Sequence, residues 1–108
     1  PAGLMERLID NTVRRIVTAS SMSIYGEGLY RDADGTLVED ARRGVLRDGQ
    51  RTWDPLDAQG RPLTPAATPE WKRPDLASVY ALNKYAQERM THIMAAPYGI
   101  ESTCLRLF

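Results

Sequence analysis

The chain is 108 residues long and carries 14 basic and 14 acidic residues, which suits one small domain and leaves no electrostatic footprint for nucleic acid or an anionic membrane. Its single cysteine, Cys104, cannot form an internal disulfide, and no apolar run approaches the ~20 residues of a membrane helix. A reducing, cytoplasmic setting is the expectation that follows.

Leu4, Met5, Leu8 and Ile9 recur at helical spacing against Glu6, Arg7 and Asp10, which predicts an amphipathic helix over 2–11, ended by Asn11. The chain opens at Pro1 inside this helix without an initiator Met and stops at Phe108 on an apolar strand pattern, so both ends read as truncations. Arg15-Ile-Val-Thr-Ala-Ser20 is short, apolar and β-branched, the pattern of a strand buried on both faces of a parallel sheet. Ser20 to Ser23 and Tyr25 to Gly28 then form the loop at its carboxyl end.

From about Leu29 to Pro74 turn signals dominate: Asp34-Gly35, Arg43-Gly44, Asp48-Gly49, Gln59-Gly60 and Arg61-Pro62, with Pro55, Pro65 and Pro69 between them. A structureless loop of that length is unusual in a compact domain, so 29–75 is expected to be an insertion with structure of its own. Trp53, Leu56, Leu63 and Trp71 are its candidate anchors. Asp75 or Ser78 can cap a second helix running to about Ala95, stopped by Pro97 and Gly99, and 101–108 reads as a second strand. Helix, strand, insertion, helix, strand is a parallel α/β pattern with a right-handed crossover, both helices on one face of the sheet.

Tyr80 and Lys84, four residues apart, project from one face of the second helix. A cation beside a phenol favours its ionised form. A phenol so placed can take the proton of an alcohol while the carbon gives up a hydride, and can return it on reduction. On a solvated helix such a pair could equally be a mere neighbourhood. Ser21 adds to it, because it follows the first strand's carboxyl end, where open parallel sheets take ligands, and its hydroxyl can hold a substrate oxygen. His92 has no partner in the sequence and reads as a surface or packing residue. Cys104 reads as a small buried hydrophobe, and Tyr25 and Gly26 as residues that shape the loop.

Val17-Thr-Ala-Ser-Ser-Met-Ser-Ile-Tyr-Gly26, Ser78-Val-Tyr-Ala-Leu-Asn-Lys84 with Gln87-Glu88, and Tyr98 to Phe108 together resemble the extended short-chain dehydrogenases and reductases, which include NAD-dependent sugar nucleotide epimerases and dehydratases. The resemblance implies a partial Rossmann-like, doubly wound parallel sheet. It implies NAD as cofactor, a nucleotide-sugar substrate, and a homodimer joined through the two helices. Residue by residue it implies Ser21, Tyr80 and Lys84 as the catalytic set, Ser20, Tyr80 and Lys84 at the cofactor, and Ser21, Met22, Ser23 and Tyr80 at the sugar. The dehydratases of this family carry an Asp-Glu pair after the catalytic Ser or Thr; Met22-Ser23 stands there in this chain, which favours an epimerase or a reductase.

Tyr25 to Arg31, Trp53-Asp-Pro55, Gly60 to Leu63 and Thr68-Pro-Glu70 resemble a bacterial subgroup similar to dTDP-L-rhamnose 4-epimerases, some of which carry paired cysteines in a pattern that suggests a zinc ribbon. Asp32 to Gly35 and Asp57 to Gly60 contain no Cys or His, so no metal is expected. Gly26-Glu-Gly28 follows the wrong strand and opens no helix, so it does not supply the cofactor-phosphate turn. The stretch alone is therefore expected to be inactive. The alternatives are a reductase or dehydratase of the same fold, or a non-catalytic nucleotide-binding paralogue.

Overall fold

The computed structural model describes residues 2–11, 13–45, 49 and 51–108. Its elements are α1 (Ala2–Asp10), β1 (Arg15–Ser21), β2 (Leu29–Arg31), β3 (Leu37–Val38), β4 (Arg43–Val45), β5 (Arg51–Pro55), β6 (Thr64–Ala66), α2 (Val79–Ala95) and β7 (Glu101–Leu107). They fall into two units, Pro1–Ile24 with Leu76–Phe108, and Tyr25–Asp75.

In the first unit Asn11 closes α1 by donating its side-chain N–H to the Arg7 carbonyl at 2.6 Å. Of the two caps open to α2, Ser78 fills the position: its Oγ accepts the Ala81 N–H at 3.0 Å, satisfying one of the helix's orphan donors. Pro97 sits in the closing 3-10 turn Ala96–Tyr98, and Gly99 takes φ +67°, the left-handed turn that releases the chain into β7.

β1 and β7 pair in parallel from Arg15 opposite Glu101 to Ser21 opposite Leu107. Ile16, Thr18 and Ser20 on β1, and Ser102, Cys104 and Arg106 on β7, share the sheet face covered by helix. Met5 of α1, Ala95 at the end of α2 and Ile100 form the apolar centre, packed round by Leu8, Ile9, Val13, Ile16 and Met94. Full burial of a large aliphatic side chain contributes about 1.5–3 kcal/mol, so Met5 and Ile100 each help to hold the helices to the strands.

The expectation that β1 is buried on both faces is corrected. Val17, Leu105 and Leu107 are exposed, as are Ala19 and Thr103, because the pair is covered by helices on one side only. The observed architecture is thus mixed α/β with one parallel pair, short of a complete doubly wound sheet.

The covered face also holds polar groups that local pattern does not reveal. His92, which reads in the sequence as a surface or packing residue, is half-buried and packs against β7: Nδ1 lies 2.5 Å from Ser102 Oγ and Nε2 lies 3.4 Å from Cys104 Sγ. Both partners come from β7, ten and twelve residues on, and only the parallel pairing presents them to α2. Cys104 is half-buried rather than buried, and burial followed by the Glu88 carboxylate pushes its thiol up.

In the second unit β2 lies between β3 and β6, antiparallel to both, and β4 pairs antiparallel with β5 across an irregular register. The expected turn at Arg43-Gly44 is instead part of β4. The expected Asp48-Gly49 turn rests on Asp48, which lies outside the described residues. Two turns repeat one design. Asp32 Oδ1 accepts the Asp34 and Thr36 N–H groups, and Asp57 Oδ1 accepts those of Gln59 and Arg61, all at 2.8–2.9 Å. In each turn a glycine three residues after the Asp takes positive φ.

Trp53 and Trp71 are not the unit's buried anchors. They are 83% and 62% exposed, Trp53 beneath the Arg43 guanidinium at 5.3 Å, since strands of two to five residues enclose too little volume for two indoles. Among the described residues of this unit, Tyr25, Leu29, Ala41, Pro55, Leu63 and Lys72 are buried.

Candidate active site

Ser20, Ser21, Met22, Ser23, Tyr80 and Lys84 all belong to the first unit. β1 delivers Ser20 and Ser21 at its carboxyl end, and the 3-10 turn Met22–Tyr25 follows directly. Alternation along the strand sends the two serines to opposite faces. Ser20 is buried beneath α2, and Ser21 is half-buried on the other side.

The Ser21 hydroxyl oxygen accepts the Ser23 backbone N–H at 3.1 Å and lies 2.7 Å from Ser23 Oγ. Two hydroxyls are therefore held together just beyond the strand, one of them fixed by the backbone of the turn. Met22, between them in sequence, is exposed.

On α2 the residues turned toward the strands follow a spacing of three and four: Ala81, Lys84, Glu88, Thr91 and Ala95. Lys84 uses this position to reach β1, where its ammonium donates to the Ala19 carbonyl at 3.3 Å. The same ammonium lies 5.8 Å from the centre of the Tyr80 ring. Tyr80 stands near the helix start and is 57% exposed, open to a ligand. Lys84 is thus the residue that joins the Tyr80 end of α2 to the end of β1, two residues before Ser21.

Three further polar residues were missed in the sequence. Glu88 is 3% exposed and takes two hydrogen bonds from the Arg106 guanidinium, at 2.9 and 3.0 Å. Burial alone would raise its carboxyl, but Arg106, with help from the Ser20 hydroxyl, holds it below the ordinary glutamate value. Ser20 Oγ gives that help from beside the carboxylate without a hydrogen bond of regular geometry. Thr91 lies 3.4 Å from Thr18 across the same interface. The polar positions within the three-and-four stripe of α2 were the available signal.

The chain is similar to the dTDP-L-rhamnose 4-epimerase of Burkholderia thailandensis, with 34% identity over 95 residues. The match takes in 88% of this chain and 25% of that protein, so the chain spans about a quarter of the curated relative's length. No protein-family model matches the chain. No solved structure matches it.

The donor set suits the nicotinamide half of a dinucleotide. A lysine ammonium at a strand end can meet ribose hydroxyls; it lies 5.8 Å from the centre of an exposed phenol ring, and a hydroxyl pair follows the same strand. Ser20, with its hydroxyl buried, offers such a ligand only its backbone. Among the described residues, no helix is long and apolar enough to cross a membrane.

Proposed function

We propose that this chain is part of the cofactor domain of an NAD-dependent sugar nucleotide epimerase, with inversion at C4 as the favoured chemistry. The observation that carries the reading is the Lys84 ammonium, in reach of both the Tyr80 ring and the Ala19 carbonyl. Similarity to a dTDP-L-rhamnose 4-epimerase supports the substrate class.

In this reading Lys84 and the main chain at Ser20 would hold NAD, which would supply reversible hydride transfer at the sugar carbinol, with return to the opposite face. Tyr80 takes the carbinol proton and later gives it back. Lys84 favours the ionised phenol and holds the nicotinamide ribose. Ser21 holds the sugar oxygen, its own orientation set by Ser23, and stabilises charge developing there. Ser20 approaches the cofactor through its main chain, and Met22 borders the sugar.

Met22 and Ser23 carry no carboxyl group for the elimination of water, which favours epimerisation over dehydration. Val79, Leu82 and Ile93 are exposed at helical spacing along α2, which supports a homodimer formed through the helices.

The experiment follows the hydrogen. With the longer parent protein and a nucleotide sugar deuterated at C4, the inverted product is expected to retain the deuterium with no net NADH formed. Loss of deuterium to solvent contradicts hydride return. Stoichiometric NADH indicates the second reading, a reductase of the same fold.

A further inference from the structure

Among the described residues of the second unit Lys72 is the largest fully buried side chain, 2% exposed, and it lies outside every role assigned so far. Its ammonium donates to two backbone carbonyls, Tyr25 at 3.0 Å and Arg73 at 3.1 Å. Burying an ammonium is costly even when it is hydrogen-bonded, and an apolar chain of the same length would fill the space at less cost. What the charge adds is a tie between two backbone positions far apart in sequence.

The tie is reinforced by its surroundings. Gly26 follows Tyr25 with φ +63°, and a Cβ there would stand 2.8 Å from Asp75 Oδ2, so the chain at 26 rests against Asp75. Asp75 is gripped by the Arg42 guanidinium at 2.5 and 3.1 Å. A little further on, the Leu29 N–H donates to Thr68 Oγ1 at 3.0 Å. Residues 25–29 and 68–75, where the chain enters and leaves this unit, are thereby fastened to each other. Ser21 lies four residues before the fastening and Tyr80 five residues after it.

We propose that Lys72 is a positioning residue: by bridging the Tyr25 and Arg73 carbonyls it fixes the two chain ends from which the Ser21 turn and the start of α2 emerge, and so sets the spacing of Ser21 and Tyr80. This rests on the assignment of those two residues to one reaction centre. A misplacement of about 1 Å at such a centre costs roughly 100-fold in rate, so loosening the tie acts on turnover before it acts on binding.

The test compares Lys72→Met and Tyr80→Phe in the longer parent protein. Lys72→Met keeps the apolar stem and removes the donors. Expected are a kcat lower by about 10- to 100-fold with KM for the nucleotide sugar little changed, and faster amide exchange at residues 22–24 and 76–81, outside the unit that holds Lys72. Unchanged kcat in folded Lys72→Met, beside an inactive Tyr80→Phe, overturns the proposal and leaves the catalytic reading standing. Faster exchange confined to 26–75 overturns it as well. Retained turnover in Tyr80→Phe ends the catalytic reading instead, and exchange at the two flanks then decides for or against the tie. Should Lys72→Met not fold, Arg42→Ala loosens the same neck from an exposed side chain. A smaller loss of kcat in the same direction supports the proposal, and no loss overturns it.

Discussion

Replacing Arg106 by Met should destabilise the first unit strongly at neutral pH and weakly in acid. Glu88 is almost fully buried, and Arg106 meets it with two hydrogen bonds while keeping about a quarter of its own side chain open to solvent. Removing one partner of a fully buried pair costs roughly 3–5 kcal/mol; with the arginine partly solvated, about 2–4 kcal/mol is expected here. That is a large share of the stability of any small domain.

The pH dependence follows from linkage. In the native protein Glu88 is held below its ordinary value of 4.5, so its stabilising contribution is complete above that pH and is lost as pH falls through the lower folded value. In Arg106→Met burial is left to dominate, the folded value rises, and protonation relieves the penalty as pH falls. Urea unfolding followed by circular dichroism at pH 7 and pH 4 should therefore show a wide gap between the two proteins that narrows in acid. A gap below about 0.5 kcal/mol at pH 7, or one of equal size at both pH values, would refute the burial argument.

Gly26→Ala should cost about 1–3 kcal/mol, because it combines a positive φ with a Cβ pressed on Asp75, and thermal melting measures it. Ser78→Ala should cost about 1 kcal/mol through loss of the α2 cap, while Ser78→Asp, which can still accept the Ala81 N–H, should melt close to the native protein. Lys84→Met should lower kcat and also weaken NAD binding, measurable by titration, since the proposal assigns both roles to one ammonium; a change in only one of the two would separate them.

α1, β1, α2 and β7 were legible in the sequence because each carries its own period: Leu4 to Ile9 at three and four, the β-branched run before Ser20, and the unbroken stretch from Ser78 to Ala95. The short strands of the second unit were not, because two- to five-residue strands are fixed by partners elsewhere, as Leu29 to Arg31 is by Leu37–Val38 and Thr64–Ala66. The same holds at the site. Tyr80 and Lys84 announce each other within one helix, whereas Glu88 with Arg106, and His92 with Ser102 and Cys104, meet only because α2 lies across a parallel pair. Composition misled at Trp53 and Trp71: large apolar side chains suggested a core that the surrounding strands are too short to enclose.

The central claim is that Tyr80 transfers the proton at a centre shared with Ser21 and Lys84. Turnover of the parent protein carrying Tyr80→Phe tests it most directly. The account predicts a kcat lower by about 100- to 10,000-fold with folding intact and NAD still bound. Turnover at the native rate in that variant would contradict it.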